Sequence, residues 1–225
     1  MKTWVLVGLL TVALAACGGS DRREARSNDS DLDGVRGFLN RAFDRDDPGN
    51  AGGGLCGDGD LQGEVVGTVP GRIPACGIEN AIRLQSVAGV ELSQGALMTC
   101  ETAKALKTWV NSGVRPAVGR RGGGVARLQV AAHYVCRTRN HQPGAKISEH
   151  GRGKAIDISA IHLEDGSEIS VLDDWGRGKN GKALRQMHKA ACGPFGTVLG
   201  PESDRWHKDH FHFDVARYGS GSYCR

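Results

Sequence analysis

Seven cysteines punctuate the 225-residue chain, and the number stays odd until Cys17 is set aside. Lys2 is followed by a largely apolar run from Trp4 to Ala16, closed by small residues just ahead of Cys17. The run is shorter than the roughly 20 residues that a helix needs to cross a bilayer. A basic start, an apolar middle and a small-residue end describe a secretory leader, so residues 1–16 read as a signal peptide. Six cysteines remain: Cys56, Cys76, Cys100, Cys136, Cys192 and Cys224. An even number in an exported chain reads as three disulfides. None stands in a Cys-x-x-Cys pair, which argues against a thiolate zinc site or a redox motif. Sequence does not determine connectivity. Joining each cysteine to the next in line gives Cys56–Cys76, Cys100–Cys136 and Cys192–Cys224 as the expectation.

Composition bounds the rest. Apolar residues make up 39% of the chain and aromatics only 5%, which predicts a modest aliphatic core. The 24% charged residues exclude wholesale disorder, and the 34 glycines follow no triplet period, which excludes collagen. Residues 17–54 are rich in Gly, Ser, Asn, Asp and Arg and read as a tether. Within it Leu32, Val35, Phe38, Leu39, Ala42 and Phe43 recur at helical spacing, predicting a short amphipathic helix. Residues 55–225 form the domain. Past residue 50 the chain carries 22 Lys/Arg against 17 Asp/Glu, a mildly basic balance that suits an anionic wall or membrane surface. No basic stripe interleaved with aromatics points to nucleic acid.

Patterning predicts strands over Ala81–Val90, Val125–Cys136, the second half of Ser148–Ile161, and Arg205–Ala216. It predicts helices over Gly181–Ala191 and from a Ser93 cap through Leu97, Met98, Leu106 and Trp109 to Gly113. The expected fold is α+β, a small, mainly antiparallel central sheet with flanking helices, stapled by disulfides. Gly176–Gly181 matches a glycine-rich nucleotide loop only superficially. Ala183 stands where a P-loop needs Ser or Thr, and no buried strand precedes the loop.

Two segments carry the chemistry. In the second, Phe211, Phe213 and Val215 alternate with His210, His212 and Asp214, the period of a half-buried strand. Two imidazoles on one strand face lie roughly 7 Å apart, which suits one metal ligand beside one acid–base group. His207 stands close enough in the chain to reach the same pocket. The bland alternative is a solvated, histidine-rich face. In the first segment Asp157 lies between Ile156 and Ile158, seven residues after His150. A carboxylate among such neighbours costs free energy unless it is paired or binds a metal. Two His nitrogens and an Asp oxygen with water in the fourth position make a catalytic zinc site. A neighbouring His then acts as general base. His133, His162 and His188 read as structural or exposed.

Ser148-x-His150-x-x-Gly153-x-Ala155-x-Asp157 resembles the signature of the zinc D-Ala-D-Ala carboxypeptidases and their lysostaphin and hedgehog relatives. His207-x-x-His210-x-His212 is similar to the penicillin-insensitive murein endopeptidase branch. Over residues 56–225 the chain most resembles the bacterial extensin-like C-terminal family, through Cys100, Trp109, Tyr134-x-Cys136-Arg137 and Tyr223-Cys224. The resemblance implies a hedgehog-like fold, one Zn2+ held by His150, Asp157 and His212, His210 as general base, and His207 assisting. It also implies that Arg137 binds a substrate carboxylate and that peptidoglycan peptides are the substrate. The carboxypeptidases' catalytic Glu is missing, since Asp209 precedes His210 and Phe211 precedes His212, so an endopeptidase is expected over a carboxypeptidase. A non-catalytic, zinc-containing wall-binding lipoprotein is the rival reading. Leu14-Ala15-Ala16-Cys17 resembles a lipobox, which implies lipidation of Cys17 and anchoring on the periplasmic face of the outer membrane.

Overall fold

The computed structural model describes residues 53–219 and 221–225; the leader, Cys17 and the 32–43 stretch lie outside them. One mixed sheet organises the domain. Its strands are β1 (Leu61–Pro70), β2 (Gly77–Val87), β3 (Val90–Thr99), β4 (Val125–Ala132), β5 (Ala155–Leu163), β6 (Glu168–Ser170), β7 (Thr197–Leu199), β8 (Phe211–Asp214) and β9 (Tyr223–Cys224). They lie in the order β1-β2-β3-β4-β5-β8-β7-β9, with β6 also paired to β5. The β3–β4 and β7–β9 pairs are parallel and the others antiparallel. The helices are α1 (Cys100–Trp109), α2 (Arg115–Val118), α3 (Val171–Asp174) and α4 (Gly178–Ala191). The α+β expectation holds, with a sheet that extends to nine strands.

Four aromatics gather where the two longer helices meet the sheet. Trp109, Phe195, Phe211 and Phe213 are all fully buried. Trp109 meets Phe213 edge-on at 4.8 Å and Phe195 stacks on Phe213 at 5.0 Å. The Trp109 indole N–H donates to the Met187 carbonyl at 2.8 Å, tying α1 to α4 without leaving a buried polar group unpaired. Each such side chain contributes about 1.5–3 kcal/mol of hydrophobic stabilisation. The underside of β8 is therefore anchored, and its other face is free to carry polar chemistry.

Two predicted elements are corrected. Val90–Thr99 is a strand, not the start of a helix capped by Ser93. Val90, Leu92, Ala96 and Met98 are buried in near-alternation, and the Ser93 hydroxyl accepts from the Val130 N–H at 2.9 Å instead of capping a helix. The β3–β4 backbone ladder is only two residue pairs long, so the Ser93 and Gln94 side chains extend it. Thr99 is the true N-cap, accepting from the Thr102 N–H at 3.3 Å. Likewise only Phe211–Asp214 of the expected Arg205–Ala216 strand is a strand, and residues 205–210 are turns.

The disulfides are Cys56–Cys100, Cys76–Cys136 and Cys192–Cys224. The last was expected; Cys56–Cys76 and Cys100–Cys136 were not and are replaced. The reason is topological, because β1–β3 fold back as a meander and chain neighbours cease to be spatial neighbours. The segment entering β1 crosses beside α1, where Asp58 pairs with Lys107 at 2.6 Å. The β1–β2 turn holding Cys76 abuts the loop that leaves β4, and a Cβ on Gly151 would lie 2.9 Å from the Cys76 sulfur.

Peptide mapping of the non-reduced protein should recover Cys56 with Cys100 and Cys76 with Cys136; a Cys56–Cys76 peptide would overturn this topology. Removing the Cys76–Cys136 link, which spans 60 residues, should cost about 4 kcal/mol of unfolding free energy on the chain-entropy scale. Denaturant titration of the double alanine variant reads that loss directly.

Candidate metal centre

The register of one strand pair builds the site. In the antiparallel β5–β8 ladder Asp157 lies opposite His212, and Ala155 opposite Asp214. Directly opposed residues share a sheet face with Cβ atoms about 4.5–5.5 Å apart. Hence Asp157, His212 and Asp214 emerge on one face while Ile156, Ile158, Phe211 and Phe213 are buried in the core. His150 arrives from a 3-10 turn, Glu149–Arg152, whose N-cap Ser148 accepts from the His150 N–H. Gly153 ends that turn in the left-handed region at φ 65°, where a Cβ would meet the Ile78 side chain at 2.3 Å. Its carbonyl accepts from the Thr99 N–H at 2.9 Å and the Thr102 hydroxyl at 3.0 Å. The Ser-x-His-x-x-Gly spacing is thus a turn that places one imidazole and fastens itself to the start of α1.

Three donor atoms converge. His212 Nδ1 lies 2.8 Å and His150 Nε2 3.2 Å from Asp157 Oδ1, and the two nitrogens are 3.1 Å apart. Tetrahedral zinc with bonds of about 2.0–2.1 Å separates its donors by about 3.3 Å, so the triangle fits that ion closely. The outward nitrogens support the same orientation. His150 Nδ1–H donates to the His133 carbonyl at 2.7 Å, which leaves the Nε2 lone pair facing the triangle. His212 Nε2–H donates to Asp214 at 3.2 Å. Such partners fix the tautomer and raise the basicity of ligating imidazoles. His150, Asp157 and Asp214 are all buried. These residues can hold a divalent cation, and their donor set favours zinc over hard oxygen-seeking ions.

Without a cation, a proton occupies the centre. Burial alone would lower the His212 pKa, but the Asp157 and Asp214 carboxylates on either side raise it to about 9. Burial alone would raise the Asp157 pKa, and the His150 and His212 imidazoles overcome that and hold it well below the usual carboxylate range. The triangle is therefore an imidazolium–carboxylate cluster at neutral pH, which explains how two imidazoles rest in contact.

The cluster floors a cleft of about 410 Å³. His207 and His210 line it, as do Arg137 and Tyr218. His207 Nδ1–H donates to Asp204 at 2.8 Å and His210 Nδ1–H to Asp209 at 2.7 Å, so the neutral form of each ring offers Nε2 as its acceptor. His210 Nε2 lies 3.7 Å from Asp157 Oδ2. Burial lowers the His207 pKa, and the nearby imidazoles add to this against the pull of Asp204. The ring centroids of His207 lie 5.2 Å from His210 and 5.7 Å from His212. His210 thus reaches the centre from a turn, not from the strand face assumed in the 7 Å spacing. Arg137 makes no ion pair among the described residues and donates only to the Thr138 carbonyl, at 3.4 Å.

The sequence reading missed the supporting groups Asp204, Asp214 and the His133 carbonyl. Asp214 was legible in principle, since His-x-Asp on a strand puts both side chains on one face. Asp204 belongs to a turn with no periodic signal. Glu149 is buried beside His150 in the chain. It accepts from Arg152 at 3.2 Å and from the Tyr218 hydroxyl at 3.1 Å, so it ties the metal turn to the segment after β8. His162 lies between Gln129 and Glu168, and His188 packs on Trp175 and Phe211, both away from the triangle.

Residues 64–225 match the model of the family described as extensin-like protein C-terminus, and the chain belongs to that family. No curated protein matches the chain, and no solved structure does.

The raised His212 pKa sets a pH signature for chelator-treated protein. The folded state holds this proton more tightly than the unfolded chain, whose His titrates near 6.5. The resulting stability is complete below about pH 6.5 and is lost as pH rises toward 9. Burial lowers the pKa values of His133, His188 and His207, which costs stability on the acid side. The melting temperature should therefore peak near pH 6.5, and Asp214→Asn should flatten the alkaline limb. A melting temperature that climbs steadily from pH 6.5 to 9 would contradict the assignment.

Proposed function

We propose that the chain is a zinc-dependent hydrolase of peptide bonds in peptidoglycan stems or cross-links, an endopeptidase in preference to a carboxypeptidase. The observation that carries this reading is the convergence of His150 Nε2, His212 Nδ1 and Asp157 Oδ1 at mutual distances of 2.8 to 3.2 Å beside further imidazoles. Zinc bound by these three donors supplies Lewis acidity, which polarises a carbonyl and acidifies water at neutral pH. His210 is oriented by Asp209 with Nε2 toward the centre, and takes a proton from the attacking water before passing it to the leaving amine. Asp209 is spent on that hydrogen bond and is not itself the base. His207, held by Asp204, presents a second imidazole to the same cleft and stabilises developing charge. Arg137 lines the cleft with its guanidinium free of carboxylate partners among the described residues, and receives a substrate carboxylate. Export, a lipidated Cys17 and a periplasmic setting complete the reading, since they bring the cleft to the wall.

Digestion of purified sacculi tests it. Zinc-loaded protein should release new peptide termini, and a chelator should abolish them. His210→Ala should lower kcat by about 10²–10⁴-fold with zinc content unchanged, whereas His212→Ala should lose the metal as well. Protein that binds one zinc yet leaves every muropeptide intact would sink catalysis and favour the wall-binding alternative.

A further inference from the structure

Three aromatic side chains are largely exposed among the described residues: Trp206 at 43%, Tyr218 at 56% and Tyr223 at 49%. All three line the cleft over the His/Asp triangle. Isolated exposed aromatics are ordinary; three walling a single concavity make a recognition surface. Each also has an arginine close to its ring. Arg205 lies 4.6 Å from the centroid of Trp206, Arg139 5.4 Å from Tyr218, and Arg225 5.4 Å from Tyr223. Arg139 also donates to the Tyr218 hydroxyl and itself lines the cleft, and cation–π attraction helps to hold each ring in place. The exposed ring surface is left for a ligand, with the Arg137 and Arg139 guanidinium donors in the same cleft.

A ligand matching that pattern is flat, apolar on one face, and rich in acceptors and negative charge at its rim. A pyranose fits. Its C–H face is apolar and faintly positive, which complements the negative face of an aromatic ring. Its hydroxyl, acetamido and carboxyl groups point outward, where arginine donors lie. A bare peptide backbone has no apolar face of that kind. Aromatics with arginines also mark membrane interfaces, but these line the walls of a cleft, which a planar bilayer does not enter.

We propose that these three arginine-backed aromatics form a saccharide-binding rim for a β-linked amino-sugar strand bearing acidic substituents. Resting on the hydrolase reading above, this means that the peptide delivered to the centre is still attached to its glycan. The rim binds sugar whether or not the centre turns over.

The test uses two saccharide probes, chitotetraose and peptide-free glycan strands stripped from sacculi by an amidase. Binding is followed by calorimetry and tryptophan fluorescence. Wild type and His210→Ala should bind both probes alike, and Trp206→Ala and Tyr223→Ala should each weaken binding by about tenfold with melting temperatures unchanged. In turnover, glycan-linked peptide should show a lower KM than the same peptide free, and Trp206→Ala should erase that difference. Absence of saccharide binding overturns the proposal, as does binding indifferent to both substitutions. So does binding to anionic phospholipid vesicles that the two substitutions abolish. Saccharide binding without any turnover would retain the rim and discard the hydrolase, whereas turnover without saccharide binding would do the reverse.

Discussion

The pairing of Asp157 with His212 across β5 and β8 is the constraint from which the site follows. A one-residue slip in that ladder would turn Asp157 and His212 into the aromatic core and expose Ile156 and Phe213. The stacked Phe195, Phe211 and Phe213 and the Trp109 edge beneath them forbid the slip, because each would lose its burial at once. The same interlock keeps a charged cluster in a nearly dry setting. An unpaired carboxylate there would be expensive, and the two imidazoles that touch Asp157 are what make the burial tolerable.

Much of this was legible in the sequence, for a simple reason. Alternation at Phe211–Asp214 and the isolated acid between Ile156 and Ile158 are local patterns with local causes. The Ser148 turn with its left-handed Gly153 is local too. What escaped was set by distant segments. Ser93 carries every mark of a helix cap until β4 arrives to claim its hydroxyl. Cys56 and Cys76 are the nearest cysteines in the chain, yet the length of β1 separates them and each finds another partner. His210 follows the strand's alternation but lies one residue before its start, so its ring approaches Asp157 from a turn. Asp204 has no pattern at all and acquires meaning only once His207 folds back on it.

Charge is distributed with similar economy. Around the triangle His150, His207 and His210 each give Nδ1–H to an orienting acceptor, while His212 is held between Asp157 and Asp214, so four imidazoles share a small volume with their rings oriented. Farther out the acids give way to arginines, with Arg137 and Arg139 lining the cleft beside Trp206, Tyr218 and Tyr223. The cleft thus runs from a buried, anion-buffered floor to a cationic, flat-faced rim, a gradient that separates the polar chemistry from the contacts that hold a large ligand.

The Cys76–Cys136 bridge links this arrangement to the history of the chain. Cys136 lies three residues from His133, whose carbonyl holds the His150 ring in its tautomer. Until the two thiols are oxidised, that loop is secured only by a few backbone bonds, among them Val135 N–H to the His150 carbonyl at 3.4 Å. With the bridge open, the His133 carbonyl would be held less firmly against the His150 ring. Closing the bridge therefore helps to set the pose of the His150 ring, so the oxidation of one cysteine pair and order at the centre are coupled.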